Sequence, residues 1–544
     1  MRYSHWWLLG AVGLMTLPFL NKALHIDDPA YIYQARQILL DPVHPFDFQF
    51  NWLGVTSDAI HSINHPPLLS YYLALIISLF GESEPVLHAS LMIFPLIAVY
   101  SISFLTQRFT NQPLPAMLML MFAPPFFVSA STLMLDVPVL ALALAATALF
   151  IRGLDIDNMP TLAFSGVVLA AACLIKYSAV LQFPVLGLYA MLQGKTRKAL
   201  IPLGLAMILV SSWIWFTWVT SGILHPLQAI GLEGDLKTPM LAKWTSLLSF
   251  TGVSALVAGF LPFAGARRWA VLLASLALTY FFILPHSALG WVSQGLLAIL
   301  VFNGTYLFGW VIAGMTDIRN FKDRDTLFLI VWFGITAAFV VQVIAFNAVR
   351  HVLIFLVPMV LLLFRMYPAP GGFKFARAQL AALLLLSLAV SFGDHIYANA
   401  YRGMADRLLL AVENQGLRDE GIGRQPNNTV WFRTHWGFQY YMENRGAKML
   451  EFSNVDQVKE GDWIVDTVTA HKNFIAKNSW PVLRMEREFD AVSPLPVHLM
   501  NSGLGAGWYA DIWGPLPFAW GGKSPMETFT LSRVVFSKND TEGA

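Results

Sequence analysis

The chain reads as a ladder of apolar runs, most of them near the length a bilayer demands, separated by short polar breaks. A membrane span needs about 20 mostly apolar residues, and only a helix or a closed barrel satisfies its own backbone in hydrocarbon. Runs of this kind fall at 6–24, 87–106, 114–130, 137–152, 161–176, 178–193, 199–219, 248–265, 269–285, 291–314, 326–346, 351–366 and 378–394. That makes about thirteen expected spans, several of them short. Residues 67–80 are also apolar but number only about fourteen, and they read as an interfacial helix. Charged residues are 12% of the chain, against about 25% in a soluble protein. A large soluble core is excluded. Net charge is +2, which points to no nucleic-acid partner. The single Cys173 rules out an internal disulfide and a cysteine-rich metal site. Residues 6–24 show no small-residue cleavage site and are followed by further spans, so they are expected to stay as a first helix.

Charge placement gives sidedness, because Lys and Arg concentrate in cytoplasmic loops. With the N-terminus inside, the inner loops hold Arg108, Arg152, Lys195 to Lys198, Arg267-Arg268, Arg319 to Arg324 and Arg365 to Arg377. Counting 67–80 as a span would move Lys195 and Arg267-Arg268 to the wrong face. The expected division is therefore a membrane domain over 1–394, with a first extracytoplasmic loop at 25–86, and a soluble extracytoplasmic domain over 395–544. In the latter, 429–433, 447–452 and 463–467 read as strands and 437–444 as a helix, which suggests a small α/β domain. The chain has no P-loop, GxGxxG or HExxH motif.

A few ionisable residues fall on the outer face. Asp27 and Asp28 follow the first run. Asp136 opens a very apolar span, where an ionisable group costs roughly 2.5–3.5 kcal/mol and signals function by default. Lys176 ends one apolar run, Arg350 lies in the tight turn between two others, and His61 and His65 sit in the first loop. Each has a plainer reading. Asp27, Asp28 and Asp136 suit helix N-termini, Lys176 can snorkel to the interface, Arg350 can meet a lipid headgroup, and the histidines can be structural. His25, His44 and His225 can be bystanders. Taken together, carboxylates and cations beside an apolar bundle suit a lipid-phosphate-linked substrate. The cations would hold phosphate, and a carboxylate would deprotonate a hydroxyl.

These elements resemble, in order, those of the GT-C polytopic membrane glycosyltransferases. The resemblance is to the branch of the protein O-mannosyltransferases and the lipid A aminoarabinose transferase. It rests on Asp27-Asp28-Pro29-Ala30-Tyr31, His65-Pro66-Pro67-Leu68, Ser131 to Pro138, Leu174-Ile175-Lys176-Tyr177-Ser178 and Arg350-His351 leading to Pro358. It implies a GT-C fold, Asp27 as base with Asp28 as its neighbour, Asp136 as the second acid, and Lys176 and Arg350 at the donor phosphate. Relatives often carry Lys before Pro-Pro-Leu, where this chain has His65, so phosphate binding there is expected to be weaker or pH-dependent. The pair here is Asp-Asp rather than Asp-Glu, which leaves open which member is the base.

The expected function is inverting transfer of a sugar from a polyprenyl-phosphate donor to an acceptor hydroxyl, outside a bacterial inner membrane. The acceptor class, whether lipid, glycan or protein, stays open. A divalent metal between Asp27 and Asp136 is an option that two carboxylates alone do not argue. The alternatives are a transporter or flippase for a lipid-linked glycan, disfavoured by the lack of an internal repeat, and a non-catalytic envelope-assembly protein. The tail elements Gly507-Trp508-Tyr509 and Trp513-Gly514-Pro515 carry no legible chemistry.

Overall fold

The structure, a computed structural model, describes residues 5–52, 54–232, 238–255, 266–367, 373–420, 429–468, 482–522 and 524–535. The first run forms α1 (His5–Thr16), after which the chain turns into α2 (Asp28–Leu40). Pro29 sits in the first turn of α2, where its fixed φ suits a helix and its missing N–H costs nothing. A short hairpin, β1 (Gln49–Asn51) with β2 (Thr56–Asp58), leads to α3 (Leu68–Phe80). The chain then enters the bundle through α4 (Glu84–Leu91), α5 (Ile93–Phe109), α6 (Pro113–Phe122), α7 (Pro124–Ser129), α8 (Asp136–Asp155), α9 (Met159–Ile175), α10 (Gln182–Leu192) and α11 (Thr196–Ser221). After α12 (His225–Leu232) come α13 (Met240–Gly252), α14 (Ala266–Ile283), α15 (Trp291–Met315), α16 (Ile318–Lys322), α17 (Arg324–Gln342), α18 (Leu353–Met366) and α19 (Phe373–Glu420).

Among the described residues, eight helices are long and apolar enough to cross a membrane. Shorter apolar helices at Trp6–Phe19, Pro113–Phe122, Met159–Ile175 and Tyr177–Leu192 fall on four further expected spans. The chain is thus a polytopic helical membrane protein. Three expected spans differ in detail. The run at 114–130 is broken into α6 and α7, because Pro124-Pro125 forces Ala123 into an extended conformation (φ −64°, ψ 128°). The run at 248–265 is displaced: α13 starts at Met240, and 256–265 lie outside the described residues. Its hydroxyls do not end the helix, since Thr245 and Thr251 donate back to the carbonyls of Leu241 and Leu247. The last run does not stop at 394. α19 continues to Glu420, so the expected domain boundary falls inside one helix. Beyond Asp394, Tyr397, Ala398, Tyr401, Met404, Ala405 and Leu408 recur at helical spacing and are buried.

Helices in lipid associate by close packing, which favours small residues at the contact. Gly252 of α13 and Gly304 of α15 face each other's helices. A Cβ on either would lie about 2 Å from a backbone carbonyl, of Leu300 or Leu248 respectively.

The α/β reading of the tail holds. A five-stranded sheet runs in the order β4 (Lys448–Met449), β3 (Val430–Phe432), β5 (Trp463–Thr467), β11 (Pro525–Val535), β6 (Val482–Val492). β3 is parallel to β4 and β5, while β11 is antiparallel to β5 and β6. The helix α20 (Trp436–Glu443) follows β3. One sheet face closes its own small core over Trp431, Leu450, Ile464 and Val534. Phe432, Val465 and Phe529 join the main core, where Tyr401 of α19 packs on Phe529. Shorter pairs, β7 (Val497–His498) with β10 (Ala519–Trp520) and β8 (Met500–Asn501) with β9 (Ala506–Gly507), complete the domain.

Candidate active site

Four of the residues singled out in the sequence meet at the end of the bundle covered by the first loop and the tail domain. Asp136, the first residue of α8, takes Lys176 Nζ on Oδ1 at 2.9 Å and Arg350 Nε on Oδ2 at 3.1 Å. Arg350 Nη2 reaches Asp27 Oδ2 at 3.3 Å. Each side chain is delivered by a break in a helix. Asp27 precedes α2, Lys176 is the extended residue that ends α9, and Arg350 lies in the 3-10 turn Val349–Val352 before α18. The plainer readings do not describe what is found. Asp27 caps its helix by position only, with no side-chain cap hydrogen bond. Lys176 and Arg350 turn into the protein, with side-chain exposures of 16% and 10%.

Behind the charges lies a cleft in the bundle. Asp136, Lys176 and Arg350 line its polar end, and Leu140, Leu144, Trp332, Leu353 and Val357 are among its apolar walls.

Two electrostatic features bear on chemistry outside the spans. Burial among protein atoms raises the Asp27 pKa above the ordinary carboxylate range, and this outweighs the opposing pull of Arg350. His65 makes no hydrogen bond or ion pair to Asp27, Asp136, Lys176 or Arg350. Burial, with the Lys176 charge close by, holds its pKa well below the ordinary imidazole value. That environment favours the neutral imidazole at His65.

The other expected residues stand apart. Asp28 is fully buried and makes no ion pair with Lys176 or Arg350, which pair with Asp136 and Asp27. Its Oδ2 accepts from the His25 N–H at 3.1 Å, and its Oδ1 has no partner. The acidic pair is thus split, with one member in the charged cluster and one in the core. His61 is exposed at the end of its 3-10 turn and makes no ion pair or hydrogen bond with the four clustered side chains. Arg350 pairs with both Asp27 and Asp136, the two carboxylates between which the sequence leaves a metal open. Among the described residues no group of three or more His, Cys, Asp or Glu side chains converges.

Sequence reasoning passed over a buried polar network beside the cluster. Lys22 pairs with Asp394, and Tyr509 donates to Asp394 at 2.7 Å. His25 Nε2 lies 2.8 Å from the Tyr509 hydroxyl. The available signal was weak: charged residues at the outer ends of the first and last spans, and a Gly-Trp-Tyr element in the tail. Ile26, between His25 and Asp27, adopts φ +52°. For a β-branched residue this is strained, by about 1–3 kcal/mol, and persists only where packing imposes it. The packing partner is α20. A Cβ on Gly437 would sit 2.0 Å from the Leu24 carbonyl, and Tyr441 accepts the Leu24 N–H at 2.8 Å.

A family model described as dolichyl-phosphate-mannose-protein mannosyltransferase matches residues 64–216. That stretch holds His65, Asp136 and Lys176. No curated protein matches the chain. Among solved structures, the chain is similar to the crystal structure of ArnT from Cupriavidus metallidurans bound to undecaprenyl phosphate. Identity is 12% and the TM-score 0.44, with 86% of this chain and 94% of that chain covered. The apo form of the same protein gives 12% identity, a TM-score of 0.43, and coverage of 85% and 92%.

Proposed function

We propose that the protein is a membrane glycosyltransferase that moves a sugar from a polyprenyl-phosphate carrier to an acceptor hydroxyl by a single inverting displacement. The observation that carries this reading is the pair of cations, Lys176 and Arg350, at the mouth of an apolar cleft, with a carboxylate on either side of Arg350. The family model over 64–216, whose description names a dolichyl-phosphate sugar, supports it. The face is extracytoplasmic in this reading, because the basic loops lie at the opposite end of the bundle. The polyprenyl chain lies in the cleft and its phosphate meets Lys176 and Arg350. Arg presents a planar fork to phosphate oxygens and Lys a point charge.

The acceptor hydroxyl gives its proton to Asp27, and its oxygen attacks the anomeric carbon from the face opposite the carrier. The bond between that carbon and the phosphate oxygen breaks, and the leaving phosphate takes the electron pair. The two cations stabilise the charge that develops there. Asp136 holds both cations in place and takes no proton in this reading. Arriving phosphate competes with Asp27 for Arg350, so the donor binds first and frees the base.

The test is transfer by purified, detergent-solubilised protein from a radiolabelled polyprenyl-phosphate sugar. A second measurement is lipid extraction from cells lacking the gene. The expected results are labelled product in the first and an accumulating polyprenyl-phosphate sugar in the second. Absence of both sinks the reading.

A further inference from the structure

The tail element Gly507-Trp508-Tyr509 is the part of the C-terminal domain that reaches the charged cluster. Its backbone runs beside the turn that carries Arg350. Val349 N–H donates to the Trp508 carbonyl at 2.9 Å, and Asp511 N–H donates to the Asn347 carbonyl at 2.8 Å. The segment is anchored in turn. The Asp511 carboxylate accepts from Ser246 at 2.6 Å and Thr238 at 2.7 Å. Gly507 allows the tight fold-back, since a Cβ there would lie 2.5 Å from the carbonyls of both Ala510 and Gly514.

Tyr509 touches both sides of the cluster. Its carbonyl accepts from Arg350 Nη1 at 3.2 Å, and its ring centroid lies 6.0 Å from the guanidinium carbon. Its hydroxyl donates to Asp394 and meets His25, two residues before Asp27. His25 is itself tied to Asp28 through its backbone N–H. We infer that Tyr509 is a positioning residue that sets the distance and orientation between Arg350 and the segment carrying Asp27. The C-terminal domain is then a working part of the site rather than a cover.

The donor arithmetic of Arg350 supports this. A guanidinium carries two N–H groups on each Nη. Tyr509 takes one on Nη1, Asp27 one on Nη2 and Asp136 meets Nε, so a phosphate oxygen that takes the place of Asp27 on Nη2 leaves the other two contacts standing. The carbonyl of Tyr509, together with Asp136 at Nε, thereby fixes the rotation of the fork. A donor phosphate that displaces Asp27 still finds the fork held from the other side. Misplacement of reacting groups by about 1 Å can cost 10²-fold in rate, so a residue that never touches substrate can control turnover.

This inference rests on the proposed glycosyl transfer for its kinetic arm and not for its second arm. Tyr509→Phe removes the hydroxyl and keeps the carbonyl and the ring. It is expected to lower kcat roughly 10–100-fold with donor KM little changed. Tyr509→Ala also removes the ring beside Arg350 and is expected to raise donor KM as well. The second arm is labelling of Asp27 by a hydrophobic carbodiimide, which reacts with the protonated acid, read by mass spectrometry against pH. The charges acting on Asp27 are Arg350 and Lys176, which favour ionisation, and Asp136 and Asp28, which oppose it. Those nearest the Tyr509 hydroxyl are Asp394, His25 and Lys22. Loosening the Asp27 segment weakens its pairing with Arg350, so labelling in Tyr509→Phe should persist to higher pH than in the parent.

A parent that transfers sugar, with Tyr509→Phe unchanged in both kcat and labelling, overturns the inference and leaves the function standing. A parent that transfers nothing, with a labelling profile that still moves, sinks the function and leaves the positioning role. A loss of thermal stability alone, with kcat per folded molecule and labelling at parent values, also overturns it. Should Tyr509→Ala fail to fold, the near-isosteric Tyr509→Phe carries the test.

Discussion

Asp27 and Asp28 are adjacent in sequence and opposite in circumstance. Asp27 keeps 32% of its side chain exposed and faces a cation, while Asp28 is wholly buried against His25. Asp27→Asn keeps the size and removes the proton acceptor. Transfer should fall about 10²–10⁴-fold with the thermal midpoint unchanged, and near-parent turnover would remove Asp27 from the base role. The raised pKa of Asp27 sets the pH dependence. A base works ionised, so activity should drop as pH falls through a value above the roughly 3.9 of free aspartate. That acid limb should be absent from the residual activity of Asp27→Asn. Arg350→Lys keeps the charge and loses the fork, and Lys176→Met keeps the stem and loses the charge. Both should raise donor KM in steady-state transfer, and parent-like KM in both would make the cations mere anchors. Asp394 supplies a contrast. It pairs with a Lys22 that is itself buried, and Asp394→Ala strands that charge. Breaking a buried pair from one side costs about 3–5 kcal/mol, so the main readout should be a lower midpoint in detergent, partly restored in the double variant with Lys22→Met.

Whole elements decide which side chains reach the site. α3 is apolar but short. It begins beside His65 at the site, and just past its far end Glu82 accepts from Arg36 and from Tyr440 of the tail domain. Both ends therefore lie at one end of the bundle, as the shortness of its apolar run implied. The α13–α15 contact tolerates little change. Gly304→Ala would place a Cβ 2.0 Å from the Leu248 carbonyl, so the helices must part. The expected cost is about 1–3 kcal/mol, read as a lower thermal midpoint, and an unchanged midpoint would mean that the two helices do not pack as described. The breaks matter as much as the helices. Lys176, Arg350 and Asp27 each occupy one, because a side chain at a helix end can leave the helical surface and meet partners from other elements.

For the molecule as a whole, two ends of the bundle are chemically distinct. At one, the first loop packs on the tail domain, with Asn51 and Thr56 on Glu451 and Arg402 on Glu84. At the other, residues of the expected inner loops meet one another: Arg108 with Asp155 and Asp325, Arg365 with Asp323, and Lys198 with Asp157. Cysteines introduced at the exposed Ser83 and Asp456 should label with a membrane-impermeant reagent from the same side, and one at Thr196 only from the other. Labelling of Thr196→Cys together with the first two would overturn the arrangement. The buried native Cys173 should give little background.

The sequence by itself determined the class of the molecule, the number of apolar runs and the grouping of loops into two faces. These follow from local quantities, since run length and charge bias are properties of neighbouring residues. It also located Asp27, Asp136, Lys176 and Arg350, because an ionisable group beside a long apolar run is conspicuous without any fold. Only the tertiary structure decided which of these touch. The Asp27–Arg350 contact closes a separation of 323 residues, and no local pattern encodes such a pairing. It alone separated Asp28 from Asp27, left His61 outside, and brought Tyr509 against Arg350. Tyr509 carried no legible chemistry in the sequence, because its role comes from a carbonyl and a hydroxyl whose partners belong to other elements. A backbone carbonyl carries no sequence signature, so its part in the site could be read only once the chain was folded.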